Sequence, residues 1–301
     1  MHLISIDSLT TASIRHLIDR ALVFFEDNRA NTTPQKSLTN QTVMQVFFED
    51  STRTSVSFEM AAKKLGAAVI NINLTASSLN KGESFDDTLH TLNAMRPDYV
   101  VARHGQDGIM QHICDLVDCP VISGGEGTQH HPSQALLDAA TIYRHKKQLD
   151  GLKVVICGDI KHGRVAGSNM TLLTQMGADV HAVCPQEMTP DAVPNNVTIH
   201  HDLETGIHNA DVIMMLRIQK ERLPKSLQIS EDTFFKQYGL THDKLTAAKQ
   251  DVIVMHPGPM NRGVEICSKL ADDTQYSVIR EQVKMGVAMR MALFEFIKEN
   301  T

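Results

Sequence analysis

Apolar positions near the start of the chain recur at helical intervals. Ile14, Leu17, Ile18, Ala21, Leu22 and Phe25 share one face, which predicts an amphipathic first helix. Short, mostly apolar runs follow at 43–48, 67–72, 99–102 and 121–123. They are too short for helices and lack polar alternation, as strands buried on both faces require. Helical stripes separate them: Phe58, Ala61, Ala62 and Leu65 form one, and Leu136, Ala139, Ala140 and Tyr143 another, with Pro132 suited to a first turn. After the polar stretch 145–151 a second series begins, with strands predicted at 153–157, 179–183, 212–216 and 252–256. The helix following Arg164 carries Leu172, Leu173 and Met176. Residues 219–249 read as an irregular, mobile connection, and 276–298 as a long apolar-rich helix.

Strands alternating with helices predict an α/β fold: two doubly wound parallel-sheet domains with an interdomain active-site cleft. The expected domains are 1–148 and 149–275, with 276–301 packing back on the first. The 301 residues are 42% hydrophobic and 21% charged, which excludes a disordered, collagenous or disulfide-built chain. Lys+Arg 29 against Asp+Glu 35 gives a net charge of −6, so no basic surface invites nucleic acid. The first ten residues lack a basic stretch leading into an apolar run, and no apolar segment is long enough to span a membrane. Cys114, Cys119, Cys157, Cys184 and Cys267 are scattered, without a C-x-x-C pair. The expectation is a cytoplasmic protein with reduced thiols and no membrane contact.

Candidate chemistry lies where predicted strands end. Phe48-Glu49-Asp50-Ser51-Thr52-Arg53-Thr54 runs from a strand into a helix start, with Ser51 and Thr52 as cap residues. Helix N–H groups, hydroxyls and the Arg53 fork suit a phosphate, although a capped helix beside a solvated arginine explains the same residues. Arg103 follows another strand, and His130-His131-Pro132-Ser133-Gln134 opens a helix. The paired histidines lack a third ligand at metal-binding spacing. The turn 157–165 has neither the dinucleotide nor the P-loop glycine spacing, but it places Arg164 at a helix start. Arg217 and Gln219 close a further strand, and His256-Pro257-Gly258-Pro259 forms a rigid turn whose carbonyls can accept from an amine. The polar segment 77–84 reads by itself as a surface loop. Four arginines at strand and helix ends suit a substrate with several anionic centres, and no nucleophile with a paired base appears.

Ser51-Thr52-Arg53-Thr54, His131-Pro132-Ser133-Gln134, Arg217-Ile218-Gln219 and His256-Pro257-Gly258-Pro259, in this order, resemble the transcarbamoylases, the aspartate/ornithine carbamoyltransferase family. The resemblance is to the aspartate-using branch, because ornithine-using members carry His-Cys-Leu-Pro where this chain has His256-Pro257-Gly258-Pro259. It implies transfer of the carbamoyl group of carbamoyl phosphate to the amine of L-aspartate, giving N-carbamoyl-L-aspartate and phosphate in de novo pyrimidine biosynthesis. Another amine such as ornithine, or a non-catalytic anion-binding paralogue, are the alternatives.

By resemblance, Ser51, Thr52, Arg53 and Thr54 hold the phosphate, and Thr54, Arg103 and His131 donate to the carbonyl oxygen. Gln134 with the backbone at Gly258 and Pro259 holds the carbamoyl amine. Arg164, Arg217 and Gln219 bind the aspartate carboxylates, and Ser77 and Lys81 enter from a neighbouring subunit. Arg53, Thr54, Arg103 and His131 are the implied catalytic set. The implied assembly is a homotrimer with shared active sites, open to regulatory chains or a dihydroorotase, and the chemistry calls for no metal, nucleotide or organic cofactor. Relatives often carry a second arginine where this chain has Ser55, which puts any salt bridge built from that arginine in doubt.

Overall fold

A computed structural model describes residues 1–32, 36–72, 82–219 and 230–301. The chain forms two compact units, Met1–Ala140 joined by Lys284–Thr301, and Thr141–Val283.

The first unit is built on β1 (Thr42–Phe47), β2 (Ala68–Ile72), β3 (Tyr99–His104) and β4 (Val121–Glu126). All pair in parallel in the order β2-β1-β3-β4. Helices α1 (Thr11–Ala30), α2 (Thr52–Lys64), α3 (Phe85–Ala94), α4 (Ile109–Leu116) and the start of α5 (Pro132–Lys146) supply the crossovers and flanks. The Thr10 hydroxyl accepts from Ser13 N–H to start α1, and Asn31 ends it in the left-handed region at φ 55°. Phe24 and Phe58 are fully buried, and Phe294, brought back by the last helix, meets both Phe58 and Tyr99 edge-on at 6.0 and 5.5 Å.

The second unit carries β5 (Lys153–Cys157), β6 (Asp179–Val183), β7 (Val197–His200), β8 (Val212–Met215) and β9 (Ile253–Met255), in the order β7-β6-β5-β8-β9 and again all parallel. Its helices are α6 (Arg164–Gln175), α7 (Leu203–Ile207), α8 (Glu231–Tyr238), α9 (His242–Leu245) and α10 (Ser268–Asp272). The final helix, α11 (Ile279–Glu299), leads the chain back to the first unit.

Each unit is therefore a doubly wound parallel sheet, as the alternating pattern predicted. Local details differ. The segment expected as a buried strand at 67–72 is the edge strand β2, paired on one side only among the described residues, and its Ile70 is 44% exposed. Within α1, Phe24 takes the inward place assigned to Leu22, which is only half-buried. Strand β7 was not foreseen, because the alternation of Val197, Thr198, Ile199 and His200 spans only four residues. The connection read as irregular contains α8 and α9, capped by the Ser230 and Thr241 side chains, while 220–229 lies outside the described residues. Short helices of this kind owe their stability to packing, here of the buried Phe234 and Leu245, rather than to a long periodic stripe.

Candidate active site

In an open parallel sheet the strand order reverses at one point, and the two chains leaving it there diverge to opposite faces, opening a crevice at the carboxyl ends. In the first unit that point lies between β1 and β3, and in the second between β5 and β8. The predicted residues fall at both.

After β1 the chain turns into α2, with Ser51 at the N-cap. The Ser51 hydroxyl makes no capping bond and Thr52 is already helical, so the helix start is not closed by its own side chains as the sequence suggested. Arg53 is exposed and Thr54 is buried. Beside them, at the end of β3, Phe47 pairs with Arg103 in the sheet register, and Phe48 N–H donates to the Arg103 carbonyl at 2.8 Å. The Arg103 guanidinium is anchored twice: Nη1 donates to the Gly124 carbonyl at 2.8 Å, and Nε lies 3.3 Å from the Glu49 carboxylate. Gly124 makes that approach feasible, since a Cβ there would sit 3.2 Å from the Phe47 ring and 3.4 Å from the Thr54 methyl.

The third contribution to this edge follows β4, the neighbour of β3. His131 is buried, and its carbonyl accepts from Gln134 and Ala135, starting α5 as Pro132 predicted. The Gln134 side chain donates from Nε2 to the buried Asp138 at 2.9 Å. Arg290 of α11 is buried nearby, with Nη1 on the Gly286 carbonyl, Nη2 at 3.5 Å from the Ser133 hydroxyl, and its guanidinium 4.8 Å from the centre of the Phe58 ring. Burial pushes the Arg290 guanidinium down to about 9 against the Asp138 charge, which raises it, while Arg103 lowers it further. It still carries its proton at neutral pH.

In the second unit Gly158 leaves β5 at φ 130°, where a Cβ would lie 2.3 Å from the Leu216 carbonyl oxygen. Only glycine lets the ends of β5 and β8 approach so closely. Asp159, fully buried, stitches the two loops together. One of its oxygens accepts from His162 N–H at 3.1 Å and contacts His162 Nδ1 at 2.9 Å, and the other accepts from Gln219 N–H at 3.2 Å. Gln219 returns a bond from Nε2 to the His162 carbonyl at 2.7 Å. These bonds fix the loops that carry Arg164, the buried first residue of α6, and the half-buried Arg217. Gly258 and Pro259 follow β9 and are joined by a cis peptide bond.

The structure thus gathers Ser51, Thr52, Arg53, Thr54, Arg103, His131 and Gln134 at one sheet edge, and Arg164, Arg217 and Gln219 at another. Ser77 and Lys81 lie outside the described residues. Sequence reasoning missed Glu49, Asp138 and Asp159, the carboxylates that orient these groups. Glu49 and Asp159 stood inside quoted motifs, but nothing local pairs Glu49 with Arg103 or Asp159 with Gln219. Among the described residues no cluster of His, Cys, Asp or Glu could hold a metal ion, and no helix is long and apolar enough to cross a membrane.

Two parallel α/β units, each with cationic donors at its switch point, define a two-domain chain built to hold anions. The chain belongs to the aspartate/ornithine carbamoyltransferase family: residues 1–144 match its carbamoyl-P binding domain and residues 150–297 its Asp/Orn binding domain. It is 50% identical over 295 residues to an aspartate carbamoyltransferase catalytic subunit of Granulibacter bethesdensis, covering 98% of this chain and 93% of that protein. A Trypanosoma cruzi aspartate transcarbamoylase in complex with carbamoyl phosphate superposes with a TM-score of 0.88 at 29% identity, covering 97% and 94% of the two chains. The ornithine carbamoyltransferase of Pyrococcus furiosus superposes at 0.87 with 26% identity, over 98% and 96%.

Proposed function

We propose that the chain is a carbamoyltransferase that moves the carbamoyl group of carbamoyl phosphate onto the amine of L-aspartate, releasing N-carbamoyl-L-aspartate and phosphate. The observation that carries this reading is the pair of cation-bearing switch points, Ser51 to Thr54 with Arg103 in one unit and Arg164 with Arg217 in the other. One suits a phosphorylated donor and the other a dicarboxylate. Near-half identity to catalytic subunits named for aspartate supports the choice of amine.

The α2 N-terminus, Ser51, Thr52 and Arg53 receive the phosphate. Attack of the amine on the carbonyl carbon drives negative charge onto the carbonyl oxygen. Thr54, Arg103 and His131 donate to it, and a donor fixed in advance is worth roughly a hundred- to a thousand-fold in rate. Arg103 is such a donor because Gly124 and Glu49 hold its plane before substrate arrives. Gln134, held by Asp138, and the carbonyl groups at Gly258 and Pro259 take the carbamoyl N–H₂. As the tetrahedral state collapses, the C–O bond to phosphate breaks and the amine loses a proton, which the departing phosphate can accept. Arg164 and Arg217 hold the carboxylates of aspartate, with Gln219 bracing their loops.

The active assembly proposed is a cytoplasmic homotrimer serving pyrimidine synthesis, in which Ser77 and Lys81 complete a neighbour's site. Val56 and Met60 on α2 and Ile70 on β2 support it, since these apolar side chains are left exposed in the single chain. Mixed Lys81→Ala and Arg103→Ala chains then regain activity that neither has alone. The central test is incubation with carbamoyl phosphate and either aspartate or ornithine. Carbamoylaspartate formation is the expected result. Product with ornithine alone reassigns the amine, and none with any amine points to a non-catalytic paralogue.

A further inference from the structure

We infer that His256 and Glu265 form a positioning pair for the backbone that receives the carbamoyl amine, with Glu265 setting the tautomer of His256. The inference rests on the carbamoyltransferase reading for its functional consequence, but its geometry stands separately. His256 is 2% exposed and Glu265 fully buried, with both side chains sealed from solvent. His256 Nδ1 accepts from Gly258 N–H at 2.9 Å, so that nitrogen carries no hydrogen. The ring hydrogen therefore sits on Nε2, which lies 3.1 Å from Glu265 Oε1 and donates to it. The same oxygen accepts from Asn261 N–H at 2.5 Å, and the Gln282 side chain accepts from His256 N–H at 2.8 Å.

One carboxylate thus ties down both arms of the turn. It receives the backbone of Asn261 directly and that of Gly258 through an imidazole whose other nitrogen it leaves free to accept. A hydrogen on Nδ1 instead would face the Gly258 N–H donor to donor and swing the turn. Gly258 lies at φ 73°, a conformation that favours glycine, and its N–H is held by His256 Nδ1. A carboxylate behind a histidine orients metal ligands and catalytic imidazoles by the same logic. Here the imidazole passes that order on to carbonyl groups.

The experiment compares two substitutions that divide the imidazole between them. His256→Asn keeps an acceptor near the Nδ1 position, and His256→Gln keeps a donor near Nε2. With carbamoyl phosphate and aspartate, His256→Gln is expected to raise KM for carbamoyl phosphate about tenfold, the size of one orienting hydrogen bond, and to leave KM for aspartate within about threefold. His256→Asn, which keeps the Gly258 bond but loses the tie to Glu265, is expected to fall between the parent and His256→Gln. Equal kinetics for the two variants, or an effect confined to aspartate, overturns the proposal. Glu265→Met, which keeps the bulk and removes the acceptor at Oε1, covers failure of the histidine variants to fold. Its 15N-histidine spectrum is expected to show loss of the pure Nε2–H tautomer seen in the parent. A parent spectrum with the hydrogen on Nδ1 refutes the pair outright. An inactive parent with the Nε2–H tautomer instead refutes the carbamoyltransferase reading.

Discussion

Replacing Arg103 with lysine keeps a positive charge at the end of β3 and removes the planar fork. The structure sets the size of each consequence. Arg103 Nη1 gives one hydrogen bond to Gly124 at 2.8 Å, and losing or weakening it costs about 1 kcal/mol. The Glu49 contact at 3.3 Å is partly solvated, with Glu49 26% exposed, so its loss costs at most about 1 kcal/mol. Together these lower Tm by roughly 2–8 °C for units of this size. The catalytic loss is larger. A lysine ammonium satisfying Gly124 or Glu49 has no second donor held in a plane toward the carbonyl oxygen. The expected fall in kcat is about a hundred- to a thousand-fold, equivalent to roughly 3–4 kcal/mol of transition-state stabilisation. The assay follows carbamoylaspartate formation at saturating substrates, with Tm read in parallel. A kcat for Arg103→Lys within about tenfold of the parent, or a loss appearing only as KM for aspartate, would refute the assignment of Arg103 to the oxyanion.

Other expectations follow from the second unit and from the buried titrating groups. Gly158→Ala forces a Cβ to within 2.3 Å of the Leu216 carbonyl at a positive φ, and is expected to cost at least about 1–3 kcal/mol in urea unfolding. A variant as stable as the parent contradicts the tight β5–β8 approach. Burial, reinforced by His181, lowers the His200 pKa, and burial also lowers His104 and His2. The unfolded chain then binds protons that the folded chain refuses, so this stability is complete above about pH 6.5 and lost as pH falls through the depressed values. Urea midpoints should drop between about pH 7.5 and about pH 5.5, less steeply in His200→Asn, and an unchanged slope in that variant removes His200 from the account. Burial pushes the Cys114 thiol up to about 12, Cys119 and Cys184 to about 11, and Cys157 higher still. Iodoacetamide near neutral pH should therefore label all four slowly until urea is added, and fast native labelling of Cys157, read by mass spectrometry, counts against the buried β5.

Much of this protein is local and therefore written along the chain. Uninterrupted apolar runs such as Val154 to Cys157 can be strands only if both faces are covered, and the helical stripe of Phe58, Ala61, Ala62 and Leu65 needs a sheet to lie on. The motifs Ser51 to Thr54 and His131 to Gln134 announce helix starts because caps and an N1 proline act over a few residues. What the chain order could not show is pairing between distant groups. Glu49 with Arg103, Asp159 with Gln219, and Glu265 with His256 depend on which strands become neighbours, and that is decided by the strand order. The exposed edge at β2 and the short helices α8 and α9 escaped for the same reason. Sequence determines which residues can donate charge and where elements begin. Only the packed sheet, by setting carboxylate against cation across tens of residues, decides which donors are held still enough to do chemistry.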